Sequence, residues 1–269
     1  MKRPGGLHII AALALVSGCA PAPPDYSAVF DGTAGRWIDL THDVSADAVF
    51  WPTADPFVLD TAAYGMTEGG YFYASFNFAS SEHGGTHIDA PIHFAEGRIS
   101  TEQIPLSAMI GPAAVIRDPA GDDADHQVGV EALAAWEARN GPIPSGAIVL
   151  LDTGWANRWP DPARYLGTAL RGEEAVPELH FPGMDPEAAQ WLVDNRDIAA
   201  LGIDTASIDH GQSSGFETHR ILYEENIPGY ENVASLAELP EWGAFVVALP
   251  MKIAGGSGGP LRIVAFVPG

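Results

Sequence analysis

One cysteine, Cys19, and two lysines, Lys2 and Lys252, are all that this 269-residue chain holds of those two types. A lone cysteine permits no intramolecular disulfide, and no other thiol is present to act as a nucleophile. Cations are scarce altogether: 13 Lys and Arg stand against 35 Asp and Glu, a formal net charge of -22. Contact with phosphate backbones or anionic membrane surfaces is then electrostatically unfavourable, which excludes nucleic-acid binding as a main role. The apolar run from Leu7 to Val16 is too short to span a membrane. No long low-complexity linker, charge block or repeat divides residues 36–269, which are read as one domain.

Residues 1–18 combine Lys2 and Arg3, the apolar run and Ser17-Gly18, the layout of a secretion signal. The tetrad Val16-Ser17-Gly18-Cys19 is similar to the lipobox of bacterial lipoproteins, in which the cysteine is acylated and becomes the new N-terminus. The expectation is a protein outside the cytoplasm, in the periplasm or cell envelope. Its one contact with a membrane is a lipid anchor at Cys19, followed by a tether over 19–35 that begins Ala20-Pro21-Ala22-Pro23-Pro24.

Thirty glycines and 22 prolines imply many turns and short strands. Trp37–Thr41 reads as a strand. Tyr71–Phe78 alternates strictly, with Phe72, Ala74, Phe76 and Phe78 on a face suited to a core and Tyr71, Tyr73, Ser75 and Asn77 on a face suited to a wet cavity. Ala113–Ile116, Ala147–Leu151, Ala199–Ile203, Phe245–Leu249 and Leu261–Val267 are continuous apolar runs, expected as strands buried on both faces. Helices are expected from Val130 to Asn140 before Gly141, from the Asp185-Pro186-Glu187 cap to Asn195, and over Phe216–Glu225. This α/β pattern lacks regular strand–helix alternation, so a barrel-like mixed β-sheet core with flanking helices is favoured over a doubly wound sheet.

The densest chemistry lies in His83-Gly84-Gly85-Thr86-His87-Ile88-Asp89-Ala90-Pro91-Ile92-His93-Phe94. The glycine pair, the β-branched Thr86 and Ile88, and Pro91 argue against a helix here. In a strand, His87 and Asp89 share a face, and a turn at the glycines can return His83 to their side. Two imidazoles and a carboxylate then converge as ligands for a divalent cation of the Zn or Mn type. His93, beyond Pro91, is left to move protons, since an imidazole titrates near neutrality. His42, His126, His180 and His210 read as surface or structural histidines, with His210 the most plausible of them to support a ligand. Gly255-Gly256-Ser257-Gly258-Gly259-Pro260 reads as a tight connection between strands.

The stretch His83–Phe94 resembles the pattern His-x-Gly-Thr-His-x-Asp-x-Pro-x-His-Phe of the cyclase family of metal-dependent hydrolases, which includes bacterial kynurenine formamidase and isatin hydrolase. Supporting segments follow in order: Ile38-Asp39-Leu40-Thr41-His42, Trp51-Pro52, Gly202-Ile203-Asp204-Thr205, His219, Glu231-Asn232-Val233 and Gly258-Gly259-Pro260-Leu261-Arg262. The resemblance implies the family's swivelling β/β/α-type fold and one or two ions, Mn or Zn, per chain. His83, His87 and Asp89 would bind one, and Asp89, His219 and Glu231 the second. It further implies His93 as catalytic acid/base, Trp51 in the substrate pocket, a small aromatic amide as substrate, and a homo-oligomer, dimer or tetramer. The reaction expected is hydrolytic opening of a cyclic amide such as isatin, by a water deprotonated beside the cations. N-formylkynurenine hydrolysis is the alternative, and a non-catalytic, metal-dependent binding lipoprotein is the alternative of another class. The segment from Trp155 to Asp185 is longer than in compact formamidases, nearer the isatin hydrolase type, and is equally suited to an oligomer contact.

Overall fold

A computed structural model describes residues 27–269. The leader, Cys19 and the proline-rich start of the tether lie outside the described residues. What is described of the tether contains a helical turn, Ser27–Phe30, whose Phe30 ring stacks on Trp37.

Twelve strands occur among the described residues: β1 (Gly35–Asp39), β2 (Val58–Met66), β3 (Phe72–Ala79), β4 (His87–Asp89), β5 (Ile110–Arg117), β6 (Gln127–Val128), β7 (Ile148–Asp152), β8 (Gly183–Met184), β9 (Ala200–Ile203), β10 (Gly229–Glu231), β11 (Trp242–Pro250) and β12 (Gly258–Pro268). The main sheet runs β1-β12-β11-β5-β7-β9-β10-β4, and β4 pairs back onto β12. Seven strands thus close into a barrel-like ring, with β1 added outside β12. The stretch β5-β7-β9-β10 is parallel and the remaining pairs are antiparallel. Closure removes the open edge that β4 would otherwise present.

Apolar runs form the parallel strands because both faces are covered. Ala113, Val115, Ile148 and Leu150 point into one cluster with Ile88, Tyr230, Val246 and Ile263. Their neighbours Ala114, Ile116, Val149 and Leu151 join a second cluster with Leu133, Trp136, Leu192 and Leu222 of the flanking helices. Those helices are Val130–Asn140, ended by Gly141 at φ 85°, and Pro186–Asn195, capped by the Asp185 side chain. The third, Glu217–Glu224, begins after Phe216.

Two expectations are corrected. β11 and β12 are not buried on both faces: Ala244, Val246 and Ala248 are buried while Phe245 and Leu249 are exposed, and Leu261, Ile263 and Ala265 are buried while Arg262 is exposed, because among the described residues the flanking helices pack mainly on β5, β7 and β9. The alternating strand at Tyr71–Phe78 contacts neither core nor cavity. It pairs only with β2, a strand without a sequence signal strong enough to single it out, and stands off as an exposed ribbon. The segment from Trp155 to Asp185 folds onto its own chain. Trp155, Tyr165, Leu166, Leu179 and Phe181 pack with Val49 in a third cluster that also takes in Trp51.

Candidate active site

The site is assembled on β4, the strand that closes the ring. Side chains two apart share a face, so His87 and Asp89 project together. Register places Glu231 of β10 directly opposite His87, which brings Glu231 Oε2 within 3.4 Å of His87 Nε2. Gly85 turns the chain at φ 61°. A side chain on Gly84 would overlap the Phe50 ring, its Cβ only 1.9 Å from Cδ1. This tight turn returns His83 to Asp89, with Nδ1 2.7 Å from Oδ1. The helix Glu217–Glu224 supplies His219, whose Nε2 lies 3.4 Å from Asp89 Oδ2 and 3.2 Å from Glu231 Oε1.

Asp89 therefore stands at the centre, Oδ1 toward His83 and His87 and Oδ2 toward His219. Two groups of potential metal ligands result, His83/His87/Asp89 and Asp89/His219/Glu231, with the ligand atoms of each group within 4.8 Å of one another. All but His83 are buried. The far nitrogens of the three imidazoles are occupied: His83 Nε2 by Ser257 Oγ at 2.9 Å, His87 Nδ1 by the Gly85 carbonyl at 2.9 Å, and His219 Nδ1 by Asp209 Oδ2 at 2.5 Å. His87 and His219 thus donate outward and turn an unprotonated nitrogen to the carboxylates when a cation is bound. Buried His87 Nε2 has no hydrogen-bond partner. An orphaned imidazole nitrogen facing two carboxylates is what a cation would satisfy, and a nitrogen and oxygen donor set without sulfur suits Mn or Zn.

Electrostatics point the same way. Burial alone would push the His87 imidazole down, but the Asp89 and Glu231 carboxylates outweigh it and raise it to about 9. His219 is likewise raised well above its usual range, with burial overcome by Asp209, Asp89 and Glu231. Asp89 is held well below the usual carboxylate range by the surrounding histidines, despite its burial. Metal-free, His87 and His219 hold protons at neutral pH, and a cation must displace them. Loading metal into the stripped protein at pH 7 is therefore expected to release protons, on the order of one per displaced imidazolium. Affinity should rise with pH toward about 9. Indicator titration in weak buffer measures this, and metal uptake without proton release at pH 7 would refute it.

His93 occupies a different position. It ends the 3-10 turn Pro91–His93, stacks on His83 at 3.9 Å between ring centroids, and keeps its Nε2 3.9 Å from Asp89 Oδ2, in neither ligand group. Burial lowers its pKa to about 4 against the pull of Asp89, so the ring is neutral. In front of it lies a cleft of about 270 Å³ walled by Phe50, Trp51, Phe94 and Phe216. Trp51, Phe94 and Phe216 form a connected aromatic set, with Phe216 4.9 Å from Phe94 and 6.4 Å from Trp51. The 155–185 segment braces this wall: Gly172 N–H donates to the Pro52 carbonyl and Arg171 to that of Ala54.

Several contributors escaped the sequence reading. Asp209 rather than its neighbour His210 holds His219, and it also accepts from the Thr218 and His219 amides at the helix start. Ser257, within the glycine-rich connection, links His83 to Glu82 through its hydroxyl, 2.8 Å from Glu82 Oε2. A Cβ at Gly258 would lie 2.6 Å from the His83 ring, so glycine lets that imidazole sit against β12. Tyr223 donates to Asp89 Oδ2 at 3.0 Å. Asn232, at φ 54°, donates to the Gly85 carbonyl and fixes the turn before His87. His42, His126 and His180 lie elsewhere, stacked on Trp159 or paired with Asp118 and Asp125.

The Cyclase family model matches residues 38–210. The chain is 34% identical to an isatin hydrolase of Roseibium aggregatum, over 74% of this chain and 77% of that protein. It is 30% identical to a kynurenine formamidase of Paracidovorax citrulli, over 71% and 78%. Its structure is similar to isatin hydrolase A from Labrenzia aggregata bound to benzyl benzoate, with a TM-score of 0.80 and 32% identity, covering 90% of this chain and 97% of that one. An isatin hydrolase bound to the product analogue thioisatinate gives a TM-score of 0.80 at 27% identity, covering 90% and 96%.

Proposed function

The chain belongs to the cyclase family, and from that premise we propose that it is a metal-dependent hydrolase opening the C–N bond of a small cyclic aromatic amide, with isatin as substrate. The lining of the cleft carries this choice. Apart from the buried ligand cluster and His93 it is aromatic or uncharged, and among the described residues no Lys or Arg faces it. Isatin is a flat neutral bicycle and needs no counter-ion. N-formylkynurenine carries a free α-carboxylate, for which the lining offers no Lys or Arg partner, and a charge buried without a partner is costly. A cavity of about 270 Å³ also favours the compact ring.

In this reading His83, His87 and Asp89 would hold one divalent ion, Mn or Zn, and Asp89, His219 and Glu231 would hold another. The ions, when bound, polarise the amide carbonyl and lower the pKa of a water. Trp51, Phe94 and Phe216 grip the ring faces and exclude solvent. His93, neutral and bordering the cleft, takes a proton from the attacking water and delivers it to the amide nitrogen as the C–N bond breaks. Both named relatives are hydrolases, which favours turnover over non-catalytic binding. Export and anchoring through Cys19 belong to the same proposal, since an enzyme outside the cytoplasm meets an environmental indole-derived compound first.

The test follows isatin ring opening by absorbance with Mn or Zn supplied, beside N-formylkynurenine. Isatin is expected to be turned over, and a chelator to abolish the rate. Preference for N-formylkynurenine would overturn the substrate assignment, and isatin turnover indifferent to chelation would overturn the metal chemistry.

A further inference from the structure

Two hydroxyl side chains, Ser81 and Ser207, line the cleft. Ser81 Oγ accepts from the His83 amide at 3.3 Å. Ser207 is only 5% exposed, and its hydroxyl has no hydrogen-bond partner among the described residues. The Ser207 carbonyl does have one, Thr205 Oγ1 at 2.8 Å. Asn232, the neutral amide of the same lining, is engaged: its Nδ2 donates to the Gly85 carbonyl at 2.8 Å and its Oδ1 accepts from the Tyr165 hydroxyl at 3.0 Å. A buried hydroxyl without an internal partner is costly unless something that enters the site takes its proton. Solvent meets that need in an open cleft, and an acceptor on a bound substrate replaces it.

The chain fixes Ser207 on one side of the ligand cluster. β9 ends at Ile203, and Ala206 and Ser207 follow in the cleft wall. The next amide, Ile208 N–H, donates to Glu231 Oε1 at 3.0 Å, and the next carboxylate, Asp209, holds His219. Ser207 therefore belongs to the His219 and Glu231 side. His93 belongs to the other, since its ring stacks on His83 at 3.9 Å and lies 6.3 Å from that of His219.

This two-sidedness matches the polar atoms of isatin. Its scissile carbonyl carbon stands between the ring nitrogen and a ketone carbon. With the carbonyl oxygen turned to the ligand cluster and the nitrogen to His93, which protonates it, the ketone points to the opposite side. Its oxygen is the acceptor still without a donor, and a carbonyl taken out of water needs one. We infer that Ser207 is a specificity-determining residue whose O–H donates to the ketone oxygen beside the scissile amide, so that the site selects α-keto lactams over plain ones. The inference rests on the substrate class proposed above.

The test compares two substrates on the metal-loaded full chain and its Ser207→Ala variant. One is isatin. The other is difluoro-oxindole, in which a CF₂ group replaces the ketone, keeping the amide activated while offering only a weak acceptor. Ser207→Ala is expected to lower kcat/KM for isatin roughly 10–100-fold and to leave that for difluoro-oxindole unchanged. The loss should fall chiefly on KM, because the bond is present in the bound substrate as well as in the transition state. Metal content should match the parent protein. As a readout without turnover, isatin binding measured by calorimetry in a His93→Ala background should weaken by the same factor. An unchanged isatin rate would overturn the inference, and so would an equal loss on both substrates, which marks a structural role. No isatin turnover by the parent protein would instead refute the substrate class itself, a result distinct from turnover that is indifferent to Ser207.

Discussion

His93→Ala is expected to keep its metal and lose its hydrolysis. His93 Nε2 stands 3.9 Å from Asp89 Oδ2 and outside both ligand groups, so truncation removes no donor from either. The ring borders the cleft and is neutral, ready to accept a proton in the forward step and return it to the amide nitrogen. Losing a positioned acid/base typically lowers the rate about 10²–10⁴-fold. The measurement pairs kcat on isatin with metal content by elemental mass spectrometry. Metal content should match the parent protein while kcat falls by that factor. Unchanged kcat would remove His93 from the mechanism, and lost metal would make it a ligand.

The second large effect is expected at Asp89. Its two oxygens face different ligand groups, Oδ1 toward His83 and His87 and Oδ2 toward His219. Asp89→Asn preserves shape but removes the negative charge that both groups share, so one substitution should empty both. The affinity loss should exceed the roughly 10–100-fold that follows from removing an outer hydrogen-bond partner of a ligand. His87→Ala strips only the group built on β4, and His219→Ala only the group completed by Glu231. Stoichiometry across the three variants therefore counts the ions directly. Full occupancy in His87→Ala would refute its assignment as a ligand, and full occupancy in Asp89→Asn would refute the shared carboxylate.

The legible part of the site is the part made by neighbours in the chain. His83, His87, Asp89 and His93 lie within eleven residues, where strand alternation and one glycine turn are enough to predict convergence. His219 and Glu231 were suggested by resemblance alone. Glu231 meets His87 through the β4–β10 register and His219 meets Asp89 through the docking of a helix, and no local pattern encodes either. Asp209 and Ser257 were missed for the same reason, since each acts on an imidazole distant in the chain.

The fold divides similarly. Helix boundaries at Asp185 and Gly141 follow from capping chemistry carried by one or two residues, and the apolar runs of β5, β7 and β9 announce strands covered on both sides. The composition was also sufficient to exclude an intramolecular disulfide and to make contact with phosphate backbones electrostatically unfavourable. Ring closure by β4, the one-sided burial of β11 and β12 and the fate of the Phe72–Phe78 face were decided in three dimensions. Alternation tells which residues share a face, but whether that face meets a core, a cleft or water depends on which distant segment arrives to cover it.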